Sequence, residues 1–195
     1  MAQKRRALFV DLDGTVRTTK TGRPHPVKLW DQRIRSGVKE KLAEYKDKGY
    51  AIVAVTNQGG VAYGLLTEDD VIQINDYLST KLLPDTFDLV MYCPYHPRGR
   101  VEKYKRDAEC RKPKPGMAFE AREKLDLDLG ESIMVGDMST DKEFADNAGI
   151  GTYCDAEEFF GRDRPPEKKP RAAKKAPAAK SAAKKATKRR ATPPS

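Results

Sequence analysis

The alternation of apolar segments with helical patterns along the first 155 residues most restricts the fold of this chain. Five short apolar segments of strand length are separated by stretches whose apolar residues have helical spacing. Strands are predicted at Ala7–Val10, Ala51–Val55, Phe87–Tyr92, Ser132–Val135 and Ile150–Cys154, and helices at 37–48, 67–83, 116–125 and 140–148. This alternation predicts an α/β fold, with a central parallel sheet covered by helices on both faces.

Two longer segments show neither period and are predicted to be irregular loops. They cover Thr15–Ser36 and Cys93–Pro115. Long irregular loops in compact domains are usually either functional or disordered. The second loop is also rich in basic side chains, namely Arg98, Arg100, Lys103, Lys105 and Arg106.

The net charge of +9 is concentrated at the C-terminal end of the chain. Residues 161–195 hold 13 Lys and Arg against 2 acids, whereas the preceding 160 residues carry a net charge of −2. The C-terminal segment consists mainly of Lys, Ala and Pro and cannot bury enough apolar surface to offset its ordering entropy. We therefore expect a folded domain over 1–160 and a disordered basic tail over 161–195.

The cysteine count and the N-terminus both bear on the compartment. Three cysteines, Cys93, Cys110 and Cys154, argue against a disulfide framework and indicate a reducing compartment. The first apolar segment is too short for a signal peptide or a membrane span. We expect a monomer in the cytoplasm, associated with the nucleoid if the tail binds DNA, and no membrane partner.

Two carboxylates follow the first predicted strand, in the segment Asp11–Thr15. Ligands of open parallel sheets bind beyond the carboxyl ends of the strands, which is where this segment lies. Asp11 could attack phosphorus there, and Asp13 could protonate the leaving oxygen and then activate water. Taken alone, the pair is equally typical of a solvated acidic turn.

Other strand ends and loops carry further polar side chains. Thr56 and Asn57 open a glycine-rich turn that suits a phosphate oxygen, and Lys112 precedes a predicted helix, where it could neutralise phosphate charge. Asp137 follows the fourth strand and could complete an oxygen-rich Mg²⁺ site. For Asp141, a metal ligand and an ordinary first-turn helix acid remain equal alternatives.

The four motifs, in this order, resemble the haloacid dehalogenase superfamily of phosphatases. The resemblance implies a Rossmann-like fold with Asp11 as nucleophile and Asp13 as general acid and base. It also implies that Thr56 and Lys112 bind the phosphate, and that Asp11, Asp13 and Asp137 surround Mg²⁺. The short spacing between the motifs leaves no room for a large cap domain, so the site should be fairly open.

Within this superfamily, Tyr92–Met117 and Asn57–Gly64 are similar to subfamily IIIA, and to its branch of heptose 1,7-bisphosphate and histidinol-phosphate phosphatases. The resemblance implies that Asn57 and Arg111 contact the substrate. On this basis we expect a small phosphorylated molecule, such as a sugar bisphosphate, as the substrate. A Lys that often follows the fourth motif in the sugar-phosphate enzymes is replaced by Met138, which weakens the match.

The same branch implies a structural zinc in the second loop, but this chain departs from the ligand pattern. Two of the four ligand positions are occupied by Tyr95 and Ala108. Cys93 and Cys110 remain, and His96 would add only a third ligand where structural zinc requires four. We therefore expect Mg²⁺ as the cofactor and no zinc.

The sequence is also compatible with two alternative functions. Thr18–Trp30 and Asp155–Phe160 resemble segments of polynucleotide 3′-phosphatases, and the tail would bind duplex DNA through counterion release. The chain could instead be a non-catalytic DNA-associated protein built on the same fold. The complete set of acids with Lys112 argues against that second alternative. The longer similarity to the heptose bisphosphate branch makes the small-molecule phosphatase our leading interpretation.

Overall fold

Five parallel strands form the central sheet of the structure, a computed structural model that describes residues 4–82 and 85–164. The strands in chain order are β1 (Arg5–Val10), β2 (Arg17–Thr19), β3 (Gln32–Ile34), β4 (Ala51–Asn57), β5 (Leu89–Cys93), β6 (Leu127–Gly136) and β7 (Thr152–Asp155). The sheet order is β5-β4-β1-β6-β7, and β2 pairs with β3 in a separate antiparallel hairpin.

Helices cover both faces of this sheet. They are α1 (Val38–Asp47), α2 (Glu68–Lys81), α3 (Gly116–Leu125), α4 (Ser139–Ala148) and α5 (Ala156–Phe160), with 3₁₀ turns at Leu29–Asp31 and Glu102–Tyr104. Apolar residues of α3 and α4 share one core cluster with the sheet, and those of α1, α2 and α5 share the other. The predicted α/β fold with helices on both faces is confirmed.

The central strand β1 is apolar at successive positions because both of its faces are buried. Ala7 and Phe9 pack into the core on the side of α3 and α4, whereas Leu8 and Val10 pack into the opposite core. All four side chains are fully buried. A strand between two helical layers has no solvent face, and burial of each large side chain stabilises the fold by roughly 1.5–3 kcal/mol.

The predicted start of α2 is confirmed by its cap. The Thr67 hydroxyl accepts a hydrogen bond from the Asp70 backbone N–H at 3.1 Å, and the Asp70 carboxylate accepts one from the Thr67 N–H at 2.8 Å. This reciprocal pair satisfies two backbone donors that the helix leaves free.

The structure departs from the prediction at three places. The β2–β3 hairpin lies within the first predicted loop, β6 begins five residues before its predicted start, and α5 follows β7. The hairpin strands have three residues each, too few for a period-2 pattern to be recognised. Between Gln32 and α2, a hydrogen bond from Gln32 Nε2 to the Ile74 carbonyl at 2.9 Å links the hairpin to the body.

The expectation that this chain lacks disulfides is wrong in one respect, because Cys93 and Cys110 form one. Cys93 ends β5, and the loop after it folds back so that the two Cα atoms lie 5.4 Å apart. This proximity depends on the path of a 17-residue loop, which the cysteine count cannot show. Cys154 is a free thiol.

The helices of the described ranges include none that combines the length and apolar character needed to cross a bilayer. The predicted basic tail lies almost entirely outside the described residues, which end at Arg164. Just before that point, Asp163 accepts a hydrogen bond from Arg33 Nη1 at 2.9 Å, so the described chain still contacts the hairpin there.

Candidate active site

The carboxyl edge of the sheet brings together the side chains that the motifs singled out. Asp11 follows β1, Thr56 and Asn57 end β4, and Asp137 follows β6. Strands β4, β1 and β6 are neighbours in the sheet, so their ends converge. Lys112 reaches the same place from the loop before α3, as its contacts show.

Lys112 is buried and joins two carboxylates. Its Nζ donates to Asp11 Oδ1 and to Asp141 Oδ1, each at 2.6 Å, and to the Val55 carbonyl at 2.9 Å. Burial alone would lower the pKa of Lys112, but the charges of Asp11 and Asp141 outweigh it and hold that pKa above its usual value. The ammonium group is therefore a fixed positive charge in the centre of the site.

Asp11 is only 7% exposed, and its environment disfavours the ionised form. Burial raises the pKa of Asp11 against the opposing charge of Lys112, and with the contribution of the nearby carboxylates of Asp141 and Asp13 this pKa reaches about 7. A cation bound at this carboxylate would relieve the same cost, because it supplies compensating charge.

Three carboxylates form a group suited to a cation. Oxygen atoms of Asp11, Asp137 and Asp141 all lie within 4.8 Å of one another, and Asp137 is the exposed member. A set of carboxylate oxygens fits Mg²⁺, which prefers hard oxygen ligands. Asp141 thus has both features, because its carboxylate lies in the group that could hold a cation and its Oδ2 accepts a hydrogen bond from the Met138 N–H at the start of α4.

The Asp13 side chain, which was expected at the metal, does not belong to this group of three. Its Oδ1 accepts a hydrogen bond from Arg17 Nε at 2.6 Å, and its Oδ2 accepts one from Gln58 Nε2 at 2.7 Å. Both oxygens of the Asp13 carboxyl group therefore accept hydrogen bonds from side chains outside this group.

Two glycines allow the acids to approach so closely. Gly14 has a φ of +102°, and a Cβ atom there would collide with the Asp137 carboxylate. A Cβ atom on Gly136 would collide with the Asp141 side chain. Both glycines are therefore required by the packing of the carboxylates against the strand ends.

Asn57, expected to contact the substrate, is committed to the protein backbone. Its Nδ2 donates to the Lys112 carbonyl and its Oδ1 accepts from the Lys112 N–H, both at 3.0 Å. This paired contact fixes the Lys112 loop against the end of β4. Thr56 is buried beside it, and its hydroxyl accepts a hydrogen bond from Gln58 Nε2 at 3.0 Å.

A cavity of about 260 Å³ adjoins these residues, and Arg111 supplies a cation to it. It is lined by His25, Asn57, Gln58, Gly59, Gly60, Tyr63, Leu65, His96 and Arg111. Arg111 donates to the Tyr95 carbonyl at 3.2 Å. Burial, followed by the charges of Arg111 and Arg98, lowers the pKa of His96. The wall of this cavity therefore favours an anionic ligand.

A second cavity, of about 470 Å³, lies on the Asp137 side. Its lining includes four acids and one Arg, namely Asp137, Asp155, Glu157, Asp163 and Arg35. An anionic group would be repelled by this excess of carboxylates. The cavity at Arg111 is thus the better place for the remainder of a phosphorylated substrate.

The three candidate zinc ligands do not form a metal cluster within the described residues. Cys93 and Cys110 are joined in the disulfide. His96 Nδ1 accepts a hydrogen bond from the Arg98 N–H at 3.0 Å and lies 3.3 Å from the Tyr63 hydroxyl. His96 therefore belongs to the cavity wall.

Arg17 and Gln58 were not recognised from the sequence as site residues. Gln58 directly follows Thr56 and Asn57 in the glycine-rich turn after β4, and this position in the sequence was a signal that it could belong to the site. Arg17 gave one weak signal, its i+4 spacing from Asp13. That spacing became informative only once the hairpin was known to bury the guanidinium.

Comparison with known proteins agrees with this geometry. Residues 6–160 match the family model described as polynucleotide kinase 3 phosphatase. D-glycero-β-D-manno-heptose-1,7-bisphosphate 7-phosphatase from Photorhabdus laumondii is 39% identical over 154 residues, covering 78% of this chain and 80% of the relative. The enzyme of the same name from Escherichia coli K12 is 38% identical, covering 78% and 79%.

Two solved structures share the fold. A HAD-like phosphatase from Mesorhizobium loti has a TM-score of 0.69 and 30% identity, covering 76% of this chain and 71% of its own. D,D-heptose 1,7-bisphosphate phosphatase from B. bronchiseptica, solved with magnesium and phosphate, has a TM-score of 0.64 and 25% identity, covering 75% and 78%. The chain therefore belongs to the polynucleotide kinase 3 phosphatase family of haloacid dehalogenase phosphatases and resembles its heptose 1,7-bisphosphate phosphatase branch.

Proposed function

We propose that the protein hydrolyses a sugar phosphate of the heptose 1,7-bisphosphate type, with Mg²⁺ and an aspartyl-phosphate intermediate on Asp11. The observation that carries the proposal is the buried pairing of Asp11 with Lys112, next to the carboxylates of Asp137 and Asp141. A carboxylate held at a strand end by a fixed ammonium group is arranged for attack on an anionic ester.

In the first half of the proposed reaction, an Asp11 carboxylate oxygen attacks phosphorus and the ester oxygen leaves. Lys112 offsets the negative charge of the phosphate and keeps Asp11 in place through the 2.6 Å contact. Asp13 gives the leaving oxygen a proton. Mg²⁺ held by Asp11, Asp137 and Asp141 would supply further charge neutralisation for the phosphate oxygens.

In the second half, Asp13 takes a proton from water, and the water oxygen attacks the aspartyl-phosphate. Phosphate then leaves and the Asp11 carboxylate is regenerated. Thr56, buried at the end of β4, contributes a hydroxyl to the phosphate pocket in this proposal. Asn57 acts indirectly, because it fixes the backbone of Lys112.

The small-molecule substrate is supported by the cavity beside Arg111. A bisphosphate carries a second anionic group away from the reacting phosphate, and Arg111 offers it a half-buried guanidinium in a cavity of about 260 Å³. Arg pairs with phosphate oxygens through two parallel hydrogen bonds. The named activity of relatives with 38–39% identity supports the same substrate class.

A polynucleotide 3′-phosphatase is the second candidate, and the description of the matching family model favours it. The exposed basic side chains of Arg98, Arg100 and Lys105 could contact a nucleic acid backbone near the site. The predicted tail would add affinity, and it lies outside the described residues. A non-catalytic DNA-associated role is disfavoured by the complete set of catalytic side chains.

The deciding experiment compares three substrates under identical conditions with Mg²⁺. These are heptose 1,7-bisphosphate, histidinol phosphate and an oligonucleotide with a 3′-phosphate, with Asp11→Asn as the inactive control. We expect kcat/KM for the heptose bisphosphate to exceed the other two values by at least about 100-fold, roughly 3 kcal/mol of transition-state binding. A higher kcat/KM for the oligonucleotide would establish the second candidate instead.

A further inference from the structure

Arg17 is a charged side chain buried close to the reacting groups. It is 1% exposed and counts among the largest fully buried side chains of the described residues. Its Nε donates to Asp13 Oδ1 at 2.6 Å. The buried guanidinium and the Asp13 carboxyl group form a charge-assisted hydrogen bond, which fixes the orientation of that carboxyl group.

The position of Arg17 is set from the side opposite Asp13. Its Nη1 donates to Gln32 Oε1 at 2.9 Å and to Asn75 Oδ1 at 3.1 Å. Gln32 belongs to β3 and Asn75 to α2, so two elements outside the catalytic loop fix the guanidinium. Gln32 is itself held by its hydrogen bond to the Ile74 carbonyl.

Gln58 restrains the other oxygen of Asp13. Its Nε2 donates to Asp13 Oδ2 at 2.7 Å and to Thr56 Oγ1 at 3.0 Å, and the residue is 4% exposed. One oxygen of the Asp13 carboxyl group is therefore held by Arg17 of the hairpin, and the other is held by Gln58 in the turn after β4. Neither oxygen can turn without breaking a buried hydrogen bond.

We propose that Arg17 and Gln58 are positioning residues that hold the Asp13 carboxyl group, which is protonated before the first step, for proton transfer to the leaving oxygen. A general acid must lie within hydrogen-bond reach of the atom it protonates, and small displacements slow the reaction strongly. The inference rests on the proposed function, because it assumes that Asp13 is the general acid. The hairpin β2–β3 thereby acquires a role in catalysis without touching the substrate.

The test measures how kcat/KM depends on the leaving group of the substrate. This constant covers substrate binding and every step up to the departure of the alcohol, so it includes the step in which Asp13 would donate its proton. An alkyl phosphate needs a proton donor, whereas 4-nitrophenyl phosphate has a stable leaving group and hardly needs one. We expect Arg17→Met to lower kcat/KM for the alkyl phosphate by about 100-fold and for 4-nitrophenyl phosphate by less than about 10-fold. Arg17→Lys should recover part of the lost alkyl phosphatase activity.

Asp13→Asn is measured in parallel, and Arg33→Met is the matched control. Arg33 lies on the same hairpin opposite Thr18, but its carboxylate partner is Asp163, so its replacement should leave both kcat/KM values near wild type. Gln58→Leu provides a second variant in case Arg17→Met does not fold by circular dichroism, and it should show the same dependence on the leaving group.

The outcomes separate the inference from the function on which it rests. If Asp13→Asn shows no dependence on the leaving group, the general-acid role of Asp13 is wrong. Suppose instead that Asp13→Asn shows this dependence on the leaving group. The positioning role is then wrong if the folded Arg17 and Gln58 variants lose kcat/KM equally on both substrates, or if they lose no activity at all. The inference holds if these variants reproduce the pattern of Asp13→Asn and the Arg33 variant does not.

Discussion

At the scale of single residues, the centre of the site consists of charged side chains that are buried in the folded protein. Lys112 bridges Asp11 and Asp141 at 2.6 Å each, and all three residues are at most 7% exposed. Two buried carboxylates share one ammonium group, so the cluster carries an excess negative charge. Such a cluster costs folding free energy, and a bound cation would offset that cost.

The raised pKa of Asp11 predicts a pH-dependent stability for the metal-free protein. Between the ordinary value of 3.8 and about 7, the folded state binds more protons at this group than the unfolded state does. Stability should therefore fall as pH rises through that window, and Asp11→Asn should remove this part of the dependence.

We expect Asp11→Asn in EDTA to melt about 5 °C above wild type at pH 8, and to lie close to it near pH 4. The same variant should have no measurable turnover, because an amide is a poor nucleophile. Melting curves by circular dichroism at both pH values provide the measurement. Parallel curves for the two proteins across the whole range would show that Asp11 does not cause the effect.

Asp141 offers a second prediction at this scale. If its carboxylate helps to hold Mg²⁺, Asp141→Asn should raise the Mg²⁺ concentration for half-maximal activity by at least about 10-fold. Glu143→Gln, an exposed acid on the same helix, is the matched control and should leave that concentration unchanged. An unaltered Mg²⁺ requirement in the Asp141 variant would restrict this residue to its contacts with Lys112 and with the Met138 N–H.

At the scale of elements, two loop regions between the strands shape the site. The hairpin β2–β3 carries Arg17 to Asp13, and the loop after β5 returns to place Arg111 and Lys112. The disulfide Cys93–Cys110 ties the second loop to the end of β5, immediately before these two residues. Asn57 fixes the same loop through its paired hydrogen bonds with Lys112.

Reduction of this disulfide should therefore affect both stability and substrate binding. A bridge that closes 17 residues stabilises a protein by about 3 kcal/mol. We expect Cys93→Ala/Cys110→Ala to lower the free energy of unfolding by about that amount and to raise KM more than it changes kcat. Urea titrations and steady-state kinetics measure the two effects.

Cys154→Ser, which removes the free thiol, is the control and should alter neither quantity. Elemental analysis of the purified wild-type protein tests the underlying assignment. One zinc per chain, lost in the double variant, would mean that the two cysteines act as metal ligands and that the disulfide is absent in solution.

At the scale of the whole molecule, the charge distribution separates two parts of the chain. Residues 165–195 contain 11 Lys and Arg and a single acid, and they lie outside the described residues. The segment lacks bulky apolar side chains, so the sequence predicts no packing against the domain. Any function of this segment would depend on the positive charge of its Lys and Arg side chains.

Truncation after Arg164 should leave kcat/KM for a small substrate within about a factor of two and strongly weaken binding to duplex DNA. Neutralisation of about half of the 11 charges implies a log–log salt slope of roughly −5 for the full chain. Binding titrations at several salt concentrations measure this slope. Equal DNA affinity and slope for both proteins would contradict the prediction.

Much of the architecture could be predicted from residue pattern alone. Buried strands such as Ala7–Val10 are apolar on both faces, and this local property implies helices on both sides of a parallel sheet. The positions of Asp11 and Asp137 at one edge followed from the same reasoning, whereas the resemblance to the haloacid dehalogenase superfamily placed Lys112 there. The sequence by itself thus determined the fold class and most members of the candidate site.

Only the tertiary structure decided how those side chains are partnered. Asp13 accepts hydrogen bonds from Arg17 and Gln58, Asp141 lies with Asp11 and Asp137 in the group that could hold a cation, and Asn57 binds the backbone of Lys112. The Asp13–Gln58 and Asn57–Lys112 contacts join residues 45 and 55 positions apart in the chain, and the Asp13–Arg17 contact depends on a hairpin too short to have a pattern. Periodicity is a local signal, whereas the partners of a buried charge are set by whichever distant segments the packed core brings beside it.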